Sequence, residues 1–366
     1  MKTTLKYLTF SLSLVLILNG CSNDDSIPTT TDNIFLRSQT EVNDFGQKGY
    51  EVIKGSLAIN SISADDPIVD LSPLNSIISV ESVLSISGNS ISSLDGLNGL
   101  KEVLGDVEIE DNDQLENLDG LSALGSIGGD FTILNNQKLA STSGLGSLND
   151  LGGRLSISFN PELTNLNGFE GVNSLTLLNI YSNTRLVSLN GLNGLNEVEI
   201  SVFINQNPAL ETISALSNLN ALENLVIQAN PNLNNLDGLQ GITELNFLDI
   251  TLNNKLVDMT GLNNLKNVTE SLGIGLNLNL QNLNGLENVN VAESVVISSN
   301  ENLQNLGGLQ NLNDTNRIVF LKNPGLSDFC GLTGLFNNQN FNGEVDIREN
   351  AFNPSREDIL AGNCDN

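Results

Sequence analysis

GDVEIEDNDQLENLDGLSALGSIG, residues 105–128, and GRLSISFNPELTNLNGFEGVNSL, residues 153–175, share one frame, L-x-I-x-x-N-x-x-L-x-x-L-x-G-L-x-x-L. Its Asn returns at Asn89, Asn112, Asn136, Asn160, Asn183, Asn207, Asn230, Asn253, Asn277, Asn300 and Asn323, always 23 or 24 residues on. A period held so steadily marks a repeat array in which each unit packs only on its neighbours. Degenerate units flank it. Leu57-x-Ile59 opens the array, with an insertion at Asp65-Asp66-Pro67, and Val345-x-Ile347 with Asn350 closes it.

Each position in the frame has a physical reading. L-x-I alternates with period 2, which predicts a short strand with its apolar side chains inward. The Asn ends that strand. Its amide both donates and accepts, so a column of such residues can satisfy backbone groups where successive coils turn. The later Leu pair, as in Leu163 and Leu166, points back into the core. Asp-Gly or Asn-Gly then recurs, at Asp119-Gly120, Asn167-Gly168, Asn190-Gly191, Asp237-Gly238 and Asn284-Gly285. These are turn dipeptides, with Gly free to take positive φ. They predict turns or single-turn 3₁₀ segments on the side opposite the strands, and no long helix.

The frame resembles leucine-rich repeats, most closely the receptor L-domain type, over about residues 38–366. The resemblance implies a right-handed solenoid with one parallel sheet of short strands and a convex side of 3₁₀ segments and turns. About thirteen coils at ~4.8 Å spacing give a stack roughly 60 Å long. Both ends of such a stack need caps. Ser38-Gln39-Thr40-Glu41 is a capping-box sequence and predicts a short helix running through Phe45 to Tyr50, suited to a cap over 38–56. The repeats proper then fill 57–336. A C-terminal cap follows over 337–366, where Asn350-Ala351-Phe352-Asn353-Pro354 resembles the end cap of Bacteroidota leucine-rich-repeat proteins.

Residues 1–20 have the form of a targeting segment. Lys2 and Lys6 precede an apolar run from Leu8 to Leu18, too short to span a bilayer comfortably. Leu18-Asn19-Gly20-Cys21 resembles a bacterial lipobox, which implies cleavage before Cys21 and acylation of that residue; an ordinary secretory signal is the alternative. Ser22-Asn23-Asp24-Asp25 resembles the surface-export signal of Bacteroidota lipoproteins, or is simply the start of a solvated linker. Residues 21–37 are expected to form a flexible tether. The implied location is the cell envelope, as an outer-membrane lipoprotein exposed at the surface and held by lipid at Cys21. In an exported chain with Cys21 acylated, Cys330 and Cys364 remain as a disulfide pair, with two free thiols as the alternative.

Composition excludes much else. The chain of 366 residues holds 15 Lys+Arg against 43 Asp+Glu, a formal charge of -28, which argues against nucleic acid as a partner. It has no His, which removes His-dependent triads and His general bases. No P-loop, Gly-x-Ser-x-Gly elbow or Cys-x-x-Cys appears, and nothing calls for a cofactor.

A ligand surface is expected on the outward strand positions, two and four residues before each Asn. In a chain with only 13 Phe and 3 Tyr, Tyr181 and Phe203 on adjacent coils form a candidate contact patch. Leu134, Phe159, Val226 and Asp249 join it; cross-strand packing without a partner is the alternative. An acidic cluster, Asp106, Glu108, Glu110, Asp111, Asp113, Glu116 and Asp119, offers oxygen ligands but fits no EF-hand loop, and is read as a solvated face in preference to a calcium site. No metal site is assigned. The sequence thus predicts a non-enzymatic binding or adhesion module for a protein or glycan. The alternatives are a passive surface spacer or coat protein and a hydrolase using two carboxylates.

Overall fold

The structure, a computed structural model, describes residues 27–366. The signal segment, Cys21 and the first part of the expected tether lie outside the described residues. The fold is a solenoid of parallel strands, built from leucine-rich coils 23 or 24 residues long. Its main sheet has fourteen parallel strands in chain order, from Ile34–Leu36 through Leu57–Asn60 and onward to Glu344–Arg348. Strand residues alternate as the frame requires. In Leu155–Ser158, for example, Leu155 and Ile157 are fully buried and pair with Leu178 and Ile180 of the next strand.

One sheet was expected, but there are two. A second sheet of six two-residue strands, from Thr29–Thr30 to Asp150–Leu151, runs along the first half of the stack. The link between the two strands of a coil explains why it stops. In the early coils that link is rich in Gly, as at Gly128-Gly129 between Ile127 and Phe131, and the chain bends there. From Ser174–Tyr181 onward the link carries strand-forming residues, such as Thr176-Leu177. Several strands there extend to eight or nine residues, with a register shift where the sheets fuse. From Asn112 onward the same link sets the alternation of period. Two residues separate Leu175 from Leu178 in a 23-residue interval, and three separate Val198 from Val202 in a 24-residue one.

The side opposite the strands carries seven three-residue 3₁₀ segments, among them Asp119–Leu121 and Thr260–Leu262. Other coils turn through Gly at φ between 106° and 112°, as at Gly191, whose Cβ position would overlap the Leu166 carbonyl. Gly120 does not need positive φ, because Asp119-Gly120 opens a 3₁₀ segment instead.

The conserved-in-position Asn side chains form a continuous buried column. Asn183 is typical. Its backbone N–H donates to Asn207 Oδ1 at 3.0 Å, and its Nδ2 donates to the Ile157 carbonyl at 2.9 Å. Its Oδ1 accepts from the Asn160 N–H at 3.0 Å. The column begins where Ser61 donates its N–H to Asn89 Oδ1, and it ends on Asn350, which is closed by Asn353. From Asp111 to Glu349, the residue just before each column Asn sits in the left-handed region, with φ between 53° and 61°. None of these residues is β-branched, as that conformation demands.

The ends differ from expectation. The tether does not extend over 21–37, since Thr29–Thr30 and Ile34–Leu36 already pair with Val52–Ile53 and Leu57–Ile59. Helix α1, Gln39–Gly46, stops short of Tyr50 and buries Val42 and Phe45. Ser38 accepts from the Glu41 N–H as a cap, but the Glu41 carboxylate takes the N–H of Arg37, not that of Ser38. At the other end, Glu344–Arg348 is the closing strand expected at Val345-x-Ile347, and it places the last coil beyond the 336 boundary drawn for the repeats. Cys330 and Cys364 are joined in a disulfide. Among the described residues no helix is long and apolar enough to cross a membrane.

Candidate functional site

Strand alternation turns one side chain in two away from the core, so the outward face is built from rows running across the strands. In one row Asn179, Phe203, Val226, Asp249 and Gly273 are register partners. In the next, Ser158, Tyr181, Asn205, Gln228, Thr251 and Gly275 are. Tyr181 and Phe203 therefore occupy adjacent strands but different rows. The Tyr181 ring meets Phe159 edge-on, with centroids 5.1 Å apart. Phe159 lies beyond its strand, in the left-handed position, and is 44% exposed. Leu134 is half-buried between Glu110 and Ser158, one strand removed from Tyr181.

Val226 departs from expectation. Only 9% of it is exposed, because Phe203 and Asp249 flank it in register and cover it. Two outward apolar residues escaped the reading of the sequence. Phe247 and Leu177, both half-buried, lie six residues before their Asn. The L-x-I frame does not reach that far, but the lengthened strands Ser174–Tyr181 and Glu244–Thr251 do. An apolar residue at the link position that holds Asp106, Asp130 and Arg154 in the early coils was the available signal.

Asp249 is the polar centre of this face. Gln228 Nε2 donates to its Oδ2 at 2.8 Å, while its buried Oδ1 accepts no hydrogen bond from the protein. Its register partner on the next strand, Gly273, carries no side chain. Burial pushes the carboxyl above its ordinary pKa, against the Gln228 hydrogen bond and the nearby Thr251 hydroxyl, which pull it down. A raised carboxyl pKa means that the folded state takes up the proton more readily than the unfolded one. The native state is therefore penalised above that raised value, and the penalty fades as pH falls from there through 3.8. Asp249→Asn, which keeps an acceptor for Gln228 without a charge, should raise the melting temperature at pH 7. Its advantage should shrink steadily in melts taken toward pH 3. An advantage independent of pH would show that desolvation is not the cause.

The acidic cluster does not act as a unit. Asp106 accepts the Asp130 N–H through Oδ1, and Asp111 accepts Asn135 Nδ2. Asp119 lies across the coil on a 3₁₀ segment. Glu110 is pushed above its ordinary pKa by burial and then by Glu108 and Asp111, a repulsion that marks the carboxylates as mutually unneutralised.

No protein-family profile matches the sequence, and no curated protein matches it. Among solved structures, an internalin from Listeria monocytogenes is similar, at 17% identity and a TM-score of 0.43, over 85% of this chain and 76% of that one. A leucine-rich-repeat protein of Leptospira interrogans is similar at 17% identity and a TM-score of 0.35, over 92% of this chain and 96% of that one.

Proposed function

We propose that this chain is a surface-anchored binding or adhesion module. It is held to the outer membrane by lipid on Cys21 and recognises a protein or glycan partner through the outward face of its main sheet. One observation carries the reading. Leu177, Tyr181, Phe203 and Phe247 stand half-exposed across four successive strands of one face, which end at Asp249, a carboxyl partnered in the protein by Gln228. Aromatic rings set around a few polar groups are what a recognition surface needs. The lipobox-like Leu18-Asn19-Gly20-Cys21 supports the anchor.

The mature chain without its lipid, immobilised for glycan arrays and protein pulldowns, supplies the partner. Tyr181→Ser combined with Phe203→Ser should then weaken that partner by about tenfold or more, the scale of losing interface anchors. Unchanged binding would refute the sheet-face assignment and favour a passive spacer.

A further inference from the structure

Where the strands of the main sheet end, the chain makes a second surface. The residues just before and just after each column Asn form two rows that run along the stack, with the buried amides between them. Over six consecutive coils the first row reads Phe159, Ser182, Gln206, Ala229, Leu252 and Leu276. The second row reads Pro161, Thr184, Pro208, Pro231, Asn254 and Leu278 over the same coils. None of these twelve positions is charged, in a chain of formal charge -28. Along the stack charges return at Asp111 and Asp113 toward the N-terminus and at Glu301 toward the C-terminus; beside the second row, Arg185 is paired with Glu162, and Lys255 follows Asn254.

The stripe is shaped as well as uncharged. Between its rows, from Ser182 to Asn254, lies an open groove of about 460 Å³. Small Ala229 and rigid Pro208 and Pro231 set its middle. Bulkier groups close its ends: Phe159 against Tyr181 on one side, and Leu276 and Leu278, 44% and 40% exposed, on the other. Asn254, on the wall, holds a buried Oδ1 with no donor in the protein. A bound N–H that drew this amide round would recover a hydrogen bond the free protein lacks.

We propose that this groove binds an extended polypeptide segment that is apolar and free of acidic side chains. Three arguments select that occupant. The twelve uncharged positions offer a buried charge no counter-ion, and the surrounding protein repels anions. The stripe spans five inter-strand steps, ~24 Å, the length of about seven extended residues. A second copy of this chain would bring an equal charge to a strip far narrower than the ~800 Å² per partner of a stable dimer. The groove shares only Tyr181, behind Phe159 at one end, with the sheet-face reading, which is centred on Phe203 and Asp249.

The test selects random linear heptapeptides displayed on phage against the immobilised mature chain, followed by titration of the synthetic peptides. The enriched sequences should be apolar and lack Asp and Glu. They should bind at least about tenfold more weakly to Ala229→Asp, a charge placed at the groove centre, while Phe203→Ser changes them by less than about twofold. Asp111 already holds the equivalent position at φ 55°, so the variant suits the backbone. Leu252→Asn, matching Asn135, is the second variant. Absence of enrichment, or peptides indifferent to both variants, overturns the proposal. A glycan as the sole ligand sensitive to Ala229→Asp overturns it in favour of sugar recognition. A dimer in sedimentation that this variant dissolves overturns it in favour of self-association.

Discussion

Asn183→Ala should destabilise the protein by about 3–5 kcal/mol, read as a shift in the midpoint of urea unfolding. The side chain is fully buried. Removing it takes the acceptor from the Asn160 N–H and a donor from the Ile157 carbonyl, both enclosed where water cannot substitute. Each orphaned group costs about 1–3 kcal/mol, and the truncated side chain leaves a small void in addition. Because each coil is stabilised only by its neighbours, a defect in mid-stack should also broaden the transition as the two halves uncouple. Asn167→Ala supplies the control. That residue is exposed in a turn and should change stability by no more than about 0.5 kcal/mol. Equal shifts for the two variants would mean that the column is decorative.

Replacing both Cys330 and Cys364 by Ser should cost about 3–4 kcal/mol, the chain-entropy value for a loop of this length. The bond spans 34 residues and fastens the C-terminal segment across the last coil. The Cys364 carbonyl of that segment also accepts from the Phe329 N–H, and Phe352 is set edge-on against Phe329. Phe329 in turn packs on Phe320 of the last full coil. Releasing the segment uncovers these rings, so limited proteolysis should cut first within 349–366 in the double variant and not in the parent. A midpoint loss below about 1 kcal/mol, with no new cleavage, would show that packing alone holds the end.

Much of this architecture is legible in one repeat. L-x-I followed by Asn states which side chains face inward and where the coil turns, because a buried amide and a two-residue alternation admit few other readings. The short helix at Ser38 is likewise written in its capping residues, although its end at Gly46 is not. What was not legible depends on what a residue does between coils. The second sheet is encoded by a single inward residue per coil, such as Ile127 or Leu151, and two-residue strands carry no periodicity to detect. Residues 29–36 read as a polar tether because their strand partners lie more than twenty residues on, at Val52 and Leu57. On the candidate face, Tyr181 and Phe203 were visible by counting, but the burial of Val226 depends on its neighbours across the sheet. Phe247 was hidden because strand length, not the frame, turns it outward. The row before each Asn did carry a signal in the sequence: twelve positions from Gly88 to Glu349 without one Val, Ile or Thr. An excluded class of residue is harder to notice than a repeated one.

The Asn column also has a direction. Every member takes a proton donor from the coil before it and gives its own N–H to the coil after it, so the interface above any coil matches the interface below. A coil added or removed in mid-stack therefore meets ready-made partners on both sides, and the molecule can be lengthened in steps of one strand spacing, ~4.8 Å, without redesigning an interface. Only Ser61 at one end and Asn350 with Asn353 at the other break the pattern. The length of the stack is thus set by repeat number, while its two terminators decide where counting starts and stops.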